Sequence, residues 1–151
     1  MSSFHWLQDL VNYLEKHYKR TLYTHESIIN YNFDSYIEQR QSPSFSQKLL
    51  YILSEKDLDD PEVYKGAGID RKHFSKIRSN PSYQPKKKTA FALCLSLRLD
   101  LSEAETLLRS AGYSFSSSQT LDLVVQYCIE HKIYDLQEVN YALNHYGLDH
   151  L

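Results

Sequence analysis

The sequence of 151 residues predicts an all-α protein. Apolar residues recur three and four positions apart through most of the chain, a spacing typical of amphipathic helices. Ser and Asp residues that can act as helix N-caps stand at the starts of several of these segments. No alternation of apolar and polar residues is long enough to indicate a strand, and no internal repeat or low-complexity tract is evident. Together these observations favour helices throughout.

The N-terminal region, residues 1–43, is predicted to be a helical extension. Its apolar spacing predicts one helix over 4–19 and a second over 24–40, whose pattern is interrupted at the sequence NYNFD. Pro43 predicts a boundary, because the residue before a proline is pushed out of the helical region and Ser44 can cap the helix that follows.

Seven more helices are predicted beyond this boundary, and they divide into a domain of residues 44–112 and a C-terminal pair in 113–151. Asp60 with Pro61 is expected to cap the second of these helices, and Asp70 the third. Ser102 is expected near the start of the fifth. The predicted spans are 45–55, 60–65, 71–78, 86–99, 102–110, 120–132 and 136–146.

Composition narrows the class of protein. The chain is 42% hydrophobic and 24% charged, which suits one or two small globular domains with an apolar core. Cys94 and Cys128 lie within apolar helical patterns and are expected to be buried, reduced thiols. The sequence has no apolar run long enough to cross a membrane, and its start lacks the continuous apolar stretch of a signal peptide. We therefore expect a cytoplasmic protein that does not bind membranes.

The net charge of −2 hides a strongly basic segment. Residues 71–99 contain eight Lys or Arg and no Asp or Glu, whereas the rest of the chain contains nine basic residues and all 19 acidic ones. Such a segment is either a solvated helix face or a binding surface for a polyanion, and composition does not decide between them.

The sequence GAGIDRKHFSKIRSN, residues 66–80, arranges part of this charge on one side of a helix. Gly68 can adopt the positive φ that ends the preceding helix, and Ile69 can fill the turn. Phe74 and Ile77, three residues apart, are expected to face the core. The remaining face, with Arg71, Lys72, Ser75, Lys76 and Ser79, is then expected to point outward, where it can donate to base edges and phosphates.

Residues 45–108 resemble the lambda-repressor-like, Cro-type helix-turn-helix domain. The apolar and glycine pattern that carries this resemblance comprises Leu49, Ile52, Val63, Gly68, Ile69, Phe74, Ile77, Pro85, Leu93, Leu97 and Leu99. More narrowly, VYKGAGIDRKHFSKIRSN, YQPKKKTAFALCLSL and YCIEHKIYDLQEVNYAL are similar to a bacterial helix-turn-helix module that also occurs appended to macrodomain-type proteins. The similarity covers residues 45–151 and implies a five-helix helix-turn-helix domain with two additional C-terminal helices. It leaves the predicted N-terminal helical arm, residues 1–43, unmatched.

The resemblance further implies a bacterial or phage transcriptional regulator that binds double-stranded DNA. The helix 71–79 would read the duplex and residues 83–89 would contact phosphates. The class typically has a Gln at the start of its second helix that supports a phosphate contact, whereas this chain has Asp60 there beside Asp59, and both carboxylates are expected to repel a phosphate. The candidate DNA-binding residues are Arg71, Lys72, His73, Ser75, Lys76, Ser79, Asn80, Tyr83, Lys86, Lys87, Lys88 and Thr89.

A second hypothesis is a non-catalytic adaptor or inhibitor that uses the same fold, or the N-terminal arm, to bind another protein. Residues 100–151, with two basic and eight acidic residues, are suited to mask the basic face or to bind a basic partner. A homodimer is also expected, because Cro-type domains usually bind palindromes as dimers. Since the sequence lacks metal-ligand, P-loop, GxGxxG and GxSxG motifs, we expect no enzyme activity, catalytic residue, metal or cofactor.

Overall fold

A computed structural model describes residues 5–18 and 25–151, and within these ranges all regular secondary structure is α-helical, as predicted. The same residues include no helix with the length and apolar character needed to cross a bilayer. The helices are α1 (His5–Tyr18), α2 (His25–Arg40), α3 (Phe45–Glu55), α4 (Asp60–Gly66), α5 (Arg71–Ser79), α6 (Lys87–Ser96), α7 (Leu101–Ser110), α8 (Thr120–Glu130) and α9 (Leu136–His145).

The chain forms two compact units, Met1–Ser42 and Pro43–Leu151. In the first unit α2 runs without a break through the sequence NYNFD. The rings of Trp6 on α1 and Phe33 on α2 pack edge-to-face, with 5.6 Å between their centroids. The second unit contains α3 to α9. The domain boundaries predicted after residues 43 and 112 stay predictions.

Helix α6 lies at the centre of the second unit. Six consecutive side chains, from Ala90 to Leu95, are buried, and the helix packs against α4, α7 and α9. A helix that is apolar on every side must be covered on every side, so the surrounding helices take their places around it. Cys94 belongs to this stretch, and burial raises the pKa of its thiol from 9.0 to about 12. Cys94 is therefore a protonated core residue at neutral pH, and Cys128 is likewise buried and unpaired.

Most helices of the second unit end in the same way. After α3, α4, α6, α7, α8 and α9 one residue adopts a positive φ, and the next apolar residue donates its N–H to the carbonyl five positions earlier. This is the Schellman motif, which satisfies the last carbonyls of a helix and returns an apolar side chain to the core. The residues with positive φ are Asp57, Gly68, Arg98, Gly112, Lys132 and Gly147.

Four of these turns join consecutive helices in the same way. The pairs α3–α4, α4–α5, α6–α7 and α8–α9 each consist of a helix, a Schellman turn, an Asp N-cap and a second helix. The α8–α9 turn is one residue longer than the α6–α7 turn, because Tyr134 stands between Ile133 and the cap Asp135. The Tyr134 hydroxyl donates to the carbonyl oxygen of Leu99 at 3.0 Å, so the longer turn is bonded to the shorter one.

Four predicted helix limits differ clearly from the structure. The N-cap of α4 is Asp59 rather than Asp60, and its carboxylate accepts the N–H of Glu62 at 3.0 Å. The N-cap of α7 is Asp100 rather than Ser102, in a capping box with Glu103. Helix α6 ends at Ser96 instead of residue 99 and α8 ends at Glu130 instead of residue 132, because Arg98 and Lys132 adopt φ +53° and +57° in their Schellman turns. In all four places the bonding of terminal backbone groups decides the helix limit.

Helices α4 and α6 approach closely at Gly66. A Cβ atom at this position would lie 2.6 Å from the Oγ of Ser96, and that hydroxyl donates to the carbonyl oxygen of Val63 at 2.5 Å. Any larger residue at position 66 must therefore displace the Ser96 hydroxyl from its hydrogen bond.

We predict that Gly66→Ala and Ser96→Ala are strongly coupled. In the wild-type background the helix propensity gained by alanine, about 1 kcal/mol, is offset by the loss of a hydrogen bond worth about 1 kcal/mol. In the Ser96→Ala background the obstruction is absent, so Gly66→Ala should raise the free energy of unfolding by about 0.5–1 kcal/mol. Urea denaturation of the four proteins measures the coupling, and equal effects of Gly66→Ala in both backgrounds would contradict it.

Candidate nucleic-acid interface

The basic segment, residues 71–99, begins at α5, which a tight turn joins to the short helix α4. Val63 on α4 is fully buried, and Gly68 adopts φ +68° as predicted. The N–H of Ile69 donates to the carbonyl oxygen of Tyr64 at 2.8 Å, and the Ile69 side chain packs on the core. Asp70 then caps α5 by accepting the N–H of His73 at 2.7 Å. The turn and the predicted cap together set the direction in which α5 leaves α4.

The rotation of α5 about its axis is fixed by two buried side chains and one tether. Phe74 and Ile77 are buried as predicted, and the ring of Phe74 lies 5.8 Å from the ring of Tyr64. Ser46 on α3, itself 1% exposed, donates its hydroxyl to the carbonyl oxygen of Ile77 at 2.6 Å. One side of α5 is thus bound to the core along its length.

The opposite side of α5 is exposed and carries four of the predicted residues: Lys72, Ser75, Lys76 and Ser79. Arg71 is also exposed at the start of the helix. The three cations Arg71, Lys72 and Lys76 form no ion pair with another residue in the described part of the chain. The hydroxyl of Ser79 donates to the carbonyl oxygen of Ser75 at 2.8 Å. The exposed face therefore offers three cations around a small, hydroxyl-bearing centre.

The loop after α5 folds back onto one flank of that helix. The Nε2 atom of His73 lies 2.6 Å from the hydroxyl oxygen of Tyr83, and both side chains are partly buried. Asn80 accepts the N–H of Ser82 at 3.0 Å, which closes the turn. The polar groups of these three predicted residues thus hold the loop together, with His73 and Tyr83 at the border of the exposed face.

The other flank of α5 contains an ion pair. The Nη1 atom of Arg78 donates to an Oδ2 oxygen of Asp60 at the start of α4. The Arg78 side chain is 50% exposed and that of Asp60 is 32% exposed. Asp59 and Asp60 were expected to repel a phosphate. Their contacts oppose that repulsion, because Asp59 caps α4 and Asp60 is neutralised by Arg78.

The segment before α6 places its lysines in different surroundings. Lys86 is the exposed N-cap of α6, and Lys88 and Thr89 are partly exposed in its first turn. Lys87 instead reaches Asp122 on α8, with 2.5 Å between Nζ and Oδ2. Asp122 is 1% exposed, and the same carboxylate oxygen accepts the N–H of Ser116 at 2.7 Å. Of the predicted phosphate contacts, Lys87 is the one bound to a buried carboxylate.

Neither of these two ion pairs, Arg78–Asp60 and Lys87–Asp122, was predicted from the sequence. A sequence pattern indicates only the second. Asp122 shares the inward face of α8 with Val125 and Ile129, at spacings of three and seven residues. A carboxylate in such a position indicates a buried partner. Asp60 and Arg78 are 18 residues apart on different helices, and no local pattern joins them.

Comparisons of the chain with protein-family models, with curated proteins and with solved structures gave no match. Residues 5–18 and 25–151 hold no group of three or more His, Cys, Asp or Glu side chains that could bind a metal ion.

We predict that Lys87 contributes to stability and Lys88 does not. Lys87→Met leaves the buried carboxylate of Asp122 without its cation and should lower the free energy of unfolding by about 1–3 kcal/mol, less than for a fully buried pair because Lys87 is partly hydrated. Lys88→Met, the matched control, should change it by less than about 0.5 kcal/mol. Chemical denaturation measures both values.

A second substitution separates the ion pair from simple packing. Asp122→Asn can still accept the Ser116 N–H but removes the charge, so Lys87→Met should cost less in this background. Equal losses for Lys87→Met and Lys88→Met would contradict the structural role of the pair.

Proposed function

We propose that the unit Pro43–Leu151 is a lambda-repressor-like helix-turn-helix domain that binds duplex DNA as a transcriptional regulator. In this proposal α3 to α7 are the five helices of the domain, α4 and α5 are its helix-turn-helix, and α8 and α9 are the two additional helices. The proposal is supported by the glycine turn at Gly68, the cap at Asp70 and the burial of Phe74 and Ile77.

The observation that carries the proposal is the two-sided character of α5. Its inner side is held by the core, while its outer side presents Lys72 and Lys76 with Arg71 at its start. An α-helix fits the major groove of B-DNA, where Arg and Lys can donate to guanine and to phosphates. We propose that Lys72, Ser75, Lys76 and Ser79 face the bases and that Arg71, Lys86 and Lys88 contact the backbone.

The electrostatics of this surface favour a polyanion. Five cations of the segment, Arg71, Lys72, Lys76, Lys86 and Lys88, have no carboxylate partner within the described ranges. If all five meet phosphates, counterion release predicts a slope of log K against log salt of about −4 to −5, from roughly −0.9 per contact. Affinity for random duplex DNA should therefore fall steeply as salt rises.

A titration of random duplex DNA at several salt concentrations tests the proposal. Arg71→Ala/Lys76→Ala removes two contacts and should flatten the slope by about 1.8, with a loss of affinity at every salt concentration. The matched control is Lys16→Ala/Arg109→Ala, which removes the same charge from exposed positions on α1 and α7. That control should leave the slope within about 0.5 of the wild-type value.

Two outcomes would contradict DNA binding through α5. One is an affinity that does not depend on salt in the wild-type protein. The other is an equal loss in Arg71→Ala/Lys76→Ala and in the control, since overall charge rather than this face would then set the affinity.

A second candidate function is protein recognition through the unit Met1–Ser42. Its side chains Trp6, Phe33 and Ile37 are 52%, 36% and 52% exposed, and the rings of the first two are in contact. Exposed aromatic and aliphatic side chains grouped in this way are typical of protein interfaces. This hypothesis predicts a stoichiometric partner that co-purifies with the full chain and is lost on Trp6→Ala/Ile37→Asp but retained on Arg71→Ala/Lys76→Ala.

A further inference from the structure

We propose that Asp60 is an internal competitor of the DNA phosphate for Arg78, so that Arg78 contacts DNA only when it leaves Asp60. This inference rests on the proposed DNA-binding function. Asp60 then lowers the affinity of the surface for DNA, and Arg78 contacts a phosphate only in molecules in which it has left Asp60. The pair would set how many cations α5 offers to a duplex.

The placement of Arg78 on α5 supports this role. Arg71 and Arg78 are seven residues apart, which is close to two full helical turns, so they lie on the same flank of the helix. Both are exposed, but in the described part of the chain only Arg78 has a carboxylate partner. Two arginines thus line one edge of the proposed DNA-binding face, and Asp60 neutralises the second.

The exposure of the Arg78–Asp60 ion pair allows Arg78 to exchange the carboxylate for another anion. Both side chains remain partly solvated, and an exposed ion pair gains little because water and salt screen it. A DNA phosphate can replace the carboxylate and release a condensed counterion in the exchange. The helix does not depend on the Asp60 side chain for its N-cap, because Asp59 supplies that hydrogen bond. Arg78 can therefore leave Asp60 without disturbing the start of α4.

The test compares Asp60→Asn with Asp57→Asn in the full chain, again with random duplex DNA at several salt concentrations. Both substitutions raise the net charge by one. Asp57 is exposed, forms no ion pair with another described residue, and adopts φ +50°, which asparagine tolerates. At about 50 mM salt Asp60→Asn should bind roughly 5- to 15-fold more tightly than Asp57→Asn, with a slope more negative by about 0.9.

Removing Arg78 tests whether the effect passes through that residue. In an Arg78→Ala background, Asp60→Asn and Asp57→Asn should bind DNA with equal affinity and equal slope. Thermal unfolding of each variant ensures that folded proteins are compared. Asp60→Ser serves as a second variant, with the same expected result, if Asp60→Asn does not fold.

The outcomes separate this inference from the proposed function. If the wild type binds DNA with a steep salt slope but Asp60→Asn and Asp57→Asn behave alike, the competition is wrong and the DNA-binding proposal stands. An advantage of Asp60→Asn that persists without Arg78 also overturns the competition, since a general field would then explain it. If the wild type and both variants show no salt-dependent binding, both proposals fail.

Discussion

The burial of Phe74 and Ile77 is the constraint on which the proposed function depends. Helix α5 has nine residues and a mostly polar sequence, and an isolated helix of that length is not stable in water. Its structure therefore comes from packing, and the two buried side chains determine which of its other residues meet solvent. The hydroxyl of Ser46 fixes the last turn by binding the carbonyl oxygen of Ile77. The basic face is the outer side of a helix whose inner side is buried against the core.

Residues that follow α7, together with Asp122 on α8, hold the segment that leads into α6. Residues 84–87 are bonded to the region around α7 and α8 at three points: Gln84 to the carbonyl oxygen of Ala111, Pro85 through its carbonyl to the hydroxyl of Tyr113, and Lys87 to Asp122. Each contact joins groups about 30 residues apart. A loop held in this way loses little further conformational freedom when it binds a ligand, which favours affinity.

Some cations of the basic segment have partners in the rest of the unit, and others do not. Of its eight cations, Lys87 meets a buried carboxylate and Arg78 a partly exposed one, and Arg98 lies 5.9 Å from the ring centroid of Tyr134. These three contacts tie the segment to other elements. The five cations at 71, 72, 76, 86 and 88 contribute to the field of the surface instead, which is the quantity that attracts a polyanion.

The sequence by itself determined the helical class, the approximate helix spans, the turn at Gly68, the cap at Asp70 and the inward direction of Phe74 and Ile77. All of these follow from local rules, namely apolar spacing and the backbone needs of helix ends, which act over a few residues. The predicted limits failed at Asp60, Ser102 and residues 99 and 132, where a neighbouring residue supplies the N-cap or adopts the positive φ that ends the helix. Only the tertiary structure decided which cations of the segment have partners, because Asp60–Arg78 and Lys87–Asp122 join residues 18 and 35 positions apart. Such pairs depend on how whole helices pack, and local sequence patterns do not encode that geometry.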